Sequence, residues 1–393
     1  MTSMQKVGVR AAGALIVLLG LAPGRSLAAG GTTKYPWNIP DNVRIVQPAP
    51  VDGVRTFATI QAAINSITTA SATNPFVVKV MAGTYTESVV IKDYVSLVGS
   101  GPDATILQDD GTNPAITSAA SMIAGFSVAN LTIQQRSRIG VSIGAHSAPV
   151  VFRNVTLKMP PAQGSYGWSG ISQQDGPLEI HDSRLLSAGT DIPLYTRGSV
   201  LLSKSVLEVT GAGDAEAIVS SNPTIRDSVI SVTGSGSLYG VMVEGGAGTI
   251  VNSEIIIRST ATVDNGNYGI LTYDFTSATI RNSRVDVTVA APAPVDAAAL
   301  SGSHFTVDGS VLSGSAYGLI DKNNNGPGGG DGPFAINNSN LSGAYQAIGK
   351  LAGGANNTVQ VGNSRLSGGH NLVPGEDKVV GCYDANYNPI PNQ

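Results

Sequence analysis

Asp191 and Asp214 are the carboxylates of this sequence whose placing suits chemistry. Both stand at the same point of a repeat, two residues ahead of the place that later copies give to Tyr239 and Tyr268. On neighbouring strands, about 4.8 Å apart, two carboxyl groups push their pKa values apart. One can then hold a proton while the other stays charged, as acid–base and nucleophilic catalysis require. The aromatic residues Tyr166, Trp168, Tyr195 and Tyr239 lie in the same stretch and could serve as platforms for sugar rings. The alternative is a pair of solvated turn aspartates beside an aromatic ladder that only supports the stack.

Other constellations carry less. Asp321 to Gly326 reads DKNNNG, the first half of an oxygen-ligand calcium loop. The glutamate needed at the twelfth position is missing, so the segment reads as an insertion between coils. His146, His181, His304 and His370 fall at unrelated spacings, which argues against zinc or copper. No phosphate-binding glycine loop or Gly-x-Ser-x-Gly elbow is present. Neither a metal nor a cofactor is expected. The net charge of −4 is scattered, with no Lys/Arg stripe, so nucleic acid is not an expected partner. Cys382 is the only cysteine, which excludes an intramolecular disulfide.

The elements that must position such residues follow from self-similarity. A phrase of apolar, any residue, Asn or Asp, Ser, any residue, apolar recurs as TIRDSVISV from Thr224, TIVNSEIII from Thr249, TIRNSRVDV from Thr279 and VQVGNSRLSG from Val359. Its serine returns at Ser183, Ser205, Ser228, Ser253, Ser283, Ser310, Ser339 and Ser364, in steps of about 22 to 30 residues. Such a step suits a coil of three short strands and three turns. With 48 Gly and 13% charged residues, the chain is expected to be all-β, a right-handed parallel β-helix. The Asn or Asp at the position before the serine, as at Asp182, Asp227, Asn252, Asn282, Asn338 and Asn363, should form an internal ladder of stacked side chains. Strand alternation would put Ile280 and Asn282 on one side and turn Val285, Val287 and Val289 inward. A second phrase, EAIVS at Glu216, YGVMV at Tyr239, YGILT at Tyr268 and YGLID at Tyr317, marks another strand of the coil.

The ends need covering, because terminal coils expose unpaired strand edges. Thr56 as N-cap with Phe57, Ile60, Ile64 and Ile67 at helical spacing predicts an N-terminal capping helix. Residues 379–393 are the expected C-terminal cap or tail. At the start, Lys6 and Arg10 precede an apolar run from Ala11 to Ala22 and the small-residue site Ser26-Leu27-Ala28. This reads as a signal peptide over 1–28 that is cleaved near Ala28, giving a secreted or periplasmic protein without membrane insertion. Residues 29–54 are then an N-terminal extension and 55–378 the β-helix.

The stretch TFATIQAAI from Thr56, the GTYTES turn from Gly83 to Ser88 and LVGSGPDATIL from Leu97 to Leu107 resemble the opening of pectinesterases and of the wider pectin-lyase-like family. The resemblance covers about 50 residues and implies a β-helix. It also implies a metal-free ester hydrolysis by two aspartates on neighbouring coils, one attacking the carbonyl and the other acting as acid and then base, with glutamine oxyanion donors and an orienting arginine. Asp191 and Asp214 are the positions that match the aspartates. Gly167 stands where the family has a glutamine, with Gln173 and Gln174 near by. Tyr268-Gly269-Ile270-Leu271-Thr272 replaces the arginine segment, and Arg281 and Arg284 fall elsewhere on the coil. The chain is thus expected to be a monomer that binds or de-esterifies a uronate-containing polysaccharide such as pectin. The alternatives are a noncatalytic β-helix module and a lyase or glycosidase with an unrecognised site.

Overall fold

The computed structural model describes residues 40–392 except 51, 119–120, 123, 162–168, 190–191, 263–265, 274–275, 292–295, 303, 322–333, 351–357 and 374–375. The expected signal peptide, the loop after Asp321, and Asp191, Tyr166 and Trp168 lie outside the described residues. The described residues all belong to the unit Trp37–Gln393.

One coil shows how the sequence folds. Ser277–Arg281 and Arg284–Val289 are strands joined by the bend at Asn282-Ser283, and Ala297–Gly302 completes the turn. Each pairs in parallel with its counterpart one coil earlier, Ala247–Val251, Glu254–Ser259 and Asn267–Thr272. Repetition produces three parallel ladders, an all-β solenoid whose strand pairing runs from Val43 to Val380. The core is β-branched and aliphatic: Ile255, Ile257, Ile280, Val285 and Val287 are buried, and Phe305 stacks on Phe334 with ring centroids 6.0 Å apart.

The serine of the repeat is the internal ladder. Ser228 donates its N–H to the Ser253 hydroxyl at 3.2 Å, and the Ser253 hydroxyl donates to the Val251 carbonyl at 2.8 Å. The same two bonds recur at Ser183, Ser205, Ser283, Ser310 and Ser339. Each hydroxyl of this ladder thus accepts from the neighbouring coil and donates within its own, which satisfies a group that would otherwise be costly to bury. Cys382 takes the same place at the end of the chain, its thiol 3.5 Å from the Val380 carbonyl.

The expected internal Asn/Asp ladder is corrected. Asn154, Asp182, Asp227, Asn252, Asn282, Asn338 and Asn363 are exposed and sit at φ between 48° and 51°. That left-handed conformation is one that Asn and Asp tolerate better than most residues, and it bends the chain between two strands. Ile280 is accordingly buried while Asn282 points out, contrary to simple alternation. Some side chains still bond between coils on the surface, as Asn154 does to Asn130 at 2.9 Å and Asn252 to Asp227 at 3.2 Å.

The second phrase marks the third ladder, and its small residue has a physical reason. Tyr239 pairs with Tyr268 and Val241 with Ile270, with no pairing at Gly240 or Gly269 between them. At Gly240 a Cβ would lie 2.5 Å from the Gly269 carbonyl oxygen and 2.6 Å from Ile255. This irregular step leaves Val241 and Val243 in the core but turns Tyr239 and Met242 to the outside.

The N-terminal helix is short and starts later than expected. Thr56–Phe57 is a strand; the helix is Ile60–Asn65, and Thr59, not Thr56, is its N-cap, accepting from the Ala62 N–H. The Glu87 carboxylate receives the Ile60 and Gln61 N–H groups at 2.8 and 2.9 Å, and the Lys92 ammonium donates to the Ile64 and Ile67 carbonyls. Charges of the right sign at both ends support a helix too short to persist alone.

Candidate functional site

Two outward columns of the third ladder build the site. One runs Tyr195, Val219, Met242, Leu271, Ser301, Ile320. The other runs Glu216, Tyr239, Tyr268, Ala298, Tyr317, Gln346. Val219, Met242, Tyr268, Leu271, Ala298 and Ile320 form a buried apolar cluster separate from the solenoid core, and Tyr195, Tyr239, Tyr273 and Tyr317 pack against it while partly exposed. Tyr239 and Tyr268 have ring centroids 5.8 Å apart at 38°, and Tyr317 lies 6.0 Å from Tyr345. The tyrosines are therefore neither a plain internal ladder nor loose surface groups. They cover an outer apolar bed, and the series is interrupted at Ala298.

Carboxylates punctuate this strip. Glu216, in register with Tyr239, is pushed above the ordinary glutamate range by burial, then by the negative charges of Glu244 and Asp214. Tyr239 is raised by burial first and then by Tyr273, with Glu216 and Asp214 adding, against a lowering hydrogen bond from Ser237. The Tyr268 hydroxyl donates to the Asp296 carboxylate. Arg197, exposed beyond Tyr195, is held above its usual range by its hydrogen bond to Tyr195, and Glu244 contributes in the same direction.

Of the residues proposed from sequence, Tyr195, Tyr239 and Asp214 belong to this face. Asp214 Oδ1 accepts the Ser237 N–H at 2.6 Å. Gln173, which lies near the family's glutamine place but out of register with it, faces the other way: it is buried, donating from Nε2 toward His146 Nε2 at 2.8 Å and accepting from the Thr196 hydroxyl at 2.6 Å. His146 Nδ1 meets the Ala148 carbonyl at 2.8 Å, which assigns the proton to Nδ1 and leaves Nε2 to accept. Arg284 lies on another ladder and pairs with Glu254 and Asp286. Among the described residues no group of three or more His, Cys, Asp or Glu could hold a metal ion, and no helix is long and apolar enough to cross a membrane.

Sequence reasoning missed Glu216, Glu244, Arg197, Tyr273 and Asp296 as site residues. The available signal was Glu216 itself, which stands in EAIVS where the other copies carry tyrosine.

No sequence-family profile matches the chain, and no curated protein matches its sequence. Solved structures do. The mannuronan C-5 epimerase AlgE6 A-module of Azotobacter vinelandii superposes with a TM-score of 0.55 at 16% identity, covering 83% of this chain and 94% of that one. The AlgE4 A-module of the same organism gives 0.54 at 16% identity, covering 81% and 94%. Pectin methylesterase PemA from Erwinia chrysanthemi gives 0.40 at 17% identity, covering 62% and 78%. The chain shares the parallel β-helix fold of the two epimerase modules.

Proposed function

We propose that this protein binds a linear polysaccharide along the tyrosine-covered face and transfers protons to or from it at Glu216. The observation that carries the reading is the register of Glu216 with Tyr239 and Tyr268 on one outward column. A carboxyl group whose hold on its proton is strengthened by burial and neighbouring carboxylates, set beside stacked aromatic rings, joins a proton-transfer group to a surface that sugar rings favour. Two structures that share the fold are named for action on mannuronan, which agrees with a polysaccharide as the class of partner and not with its charge. In the ester-hydrolysing form of the proposal, Asp214 and Asp191 are the family's aspartates and methylated pectin is the substrate. Gln173, locked into the interior by His146 and Thr196, favours a second reading in which the face binds glycan without turnover.

The test is an assay of the mature protein on methylated pectin between about pH 4 and 9, a range that spans carboxylate and histidine titration. Methanol is measured for ester hydrolysis, and new reducing ends or unsaturated products for chain cleavage. Product formation that falls by at least about 10²-fold in Glu216→Gln supports the proton-transfer role. Unchanged turnover in that variant removes it, and glycan binding without any product leaves the binding module. The signal-peptide reading belongs to the same proposal: N-terminal sequencing of the exported protein should begin close to residue 29.

A further inference from the structure

The proposed polysaccharide site has a charge pattern that bears on its substrate. The two outward columns described above contain no lysine or arginine. The charged side chains that interact around Glu216 are Glu244 and Asp214, and Asp296 bonds Tyr268 one coil beyond Tyr239. Among the described residues, the positive group that interacts with these side chains is Arg197, at the Tyr195 end, where it already engages Tyr195 and Glu244.

A free polyuronate carries a carboxylate on every sugar, and coils repeat about every 4.8 Å. A chain laid along the axis would therefore bring several like charges against Glu216, Glu244 and Asp296 with little to neutralise them. An uncharged pyranose offers the opposite. Its hydroxyls donate to carboxylates, which only accept, and its C–H face packs on tyrosine rings. We propose that the polysaccharide stretch seated on this face is uncharged, either a neutral glycan or a methyl-esterified uronate, and that free polyuronate is rejected. This rests on the reading of the face as a polysaccharide site, and it goes further by excluding the charged polymer.

The experiment compares one pectin backbone in its highly methyl-esterified form, the same backbone fully de-esterified, and a neutral glucan. Affinity electrophoresis and calorimetry are run with the mature protein at neutral pH and low salt. At least one uncharged polymer should bind about tenfold or more tightly than the de-esterified one, roughly 1.4 kcal/mol by the affinity relation. The gap should narrow with added salt and in the Glu216→Gln/Glu244→Gln double variant. Binding of the esterified pectin alone identifies a uronate ester, and binding of the glucan alone a neutral glycan. Equal or tighter binding of the de-esterified polymer overturns the inference while leaving the polysaccharide reading in place. Binding of none of the three overturns that reading, and the inference with it.

Discussion

Glu216 faces two other carboxylates from a half-buried position, so the folded chain binds its proton more readily than the unfolded chain does. The contribution to stability is then fully present below the ordinary value of 4.5 and is lost as the pH rises through the raised folded value. Glu216→Gln cannot ionise and escapes this loss. Calorimetric Tm should be close to wild type near pH 4 and higher than wild type at neutral pH; a difference that does not change with pH would refute the assignment. Ser301 offers a second test on the same face. Its hydroxyl is fully buried between Leu271 and Ile320 in the outward column and makes no hydrogen bond among the described residues. Ser301→Ala should stabilise by about 1 kcal/mol, read from the urea midpoint, because it removes an unsatisfied group without opening a large cavity. A loss of stability would show that the hydroxyl has a partner. Much of this face was legible in the repeat. Asp214 and the tyrosines stood out by type and spacing, and Glu216 stood in a tyrosine's place. The crowding of Glu216 by Glu244 was not legible, because Glu244 lies past the end of the next strand of the ladder, Leu238–Val243, and carries no repeat signal.

The strand and bend phrase is where sequence and structure agree most closely, and its one misreading is instructive. The repeat suggests that the Asn or Asp stacks inside the solenoid, yet it is the following Ser that is buried and bonded between coils, while the Asn or Asp is exposed and left-handed. A pattern reveals a required residue type before it reveals the backbone conformation that requires it. Lys204 and Gly309 stand at that position without Asn or Asp; glycine tolerates the left-handed region, whereas Lys204, with φ of 49°, has no special tolerance for it. Lys204→Gly or Lys204→Asn should stabilise by roughly 1 kcal/mol in denaturant titration, since the strain there is of that order. The opposite sign is expected at the irregular step of the third ladder. At Gly269 a Cβ would lie 2.2 Å from Val285 Cγ1 and 2.7 Å from the Ala299 carbonyl oxygen. Gly269→Ala should therefore cost roughly 1 to 3 kcal/mol through overpacking, although Ala299 is the native residue one coil later, and a neutral result would mean that Val285 repacks freely.

At the scale of the solenoid, the described strands pair with their counterparts in the coil before and the coil after. The pairings show this directly: Glu254–Ser259 contacts Val229–Gly234 on one side and Arg284–Val289 on the other. Stability in such a stack is close to a sum of coil and neighbour terms, so an inner coil is held from two sides and a terminal coil from one. The helix Ile60–Asn65 adds buried apolar contact near one end through Ile60, Ala63 and Ile64. Near the other end Arg365 lies over the Tyr387 ring at 4.7 Å and donates to the Ala385 carbonyl. Neither set of contacts replaces a missing neighbouring coil. Hydrogen exchange followed by mass spectrometry should consequently show the greatest protection in the strands between Val206 and Val289, falling toward Val43–Val46 and Lys378–Val380. Adding denaturant should steepen that gradient. Uniform protection from end to end would mean that the solenoid opens as one cooperative unit, and the nearest-neighbour account of its stability would then fail.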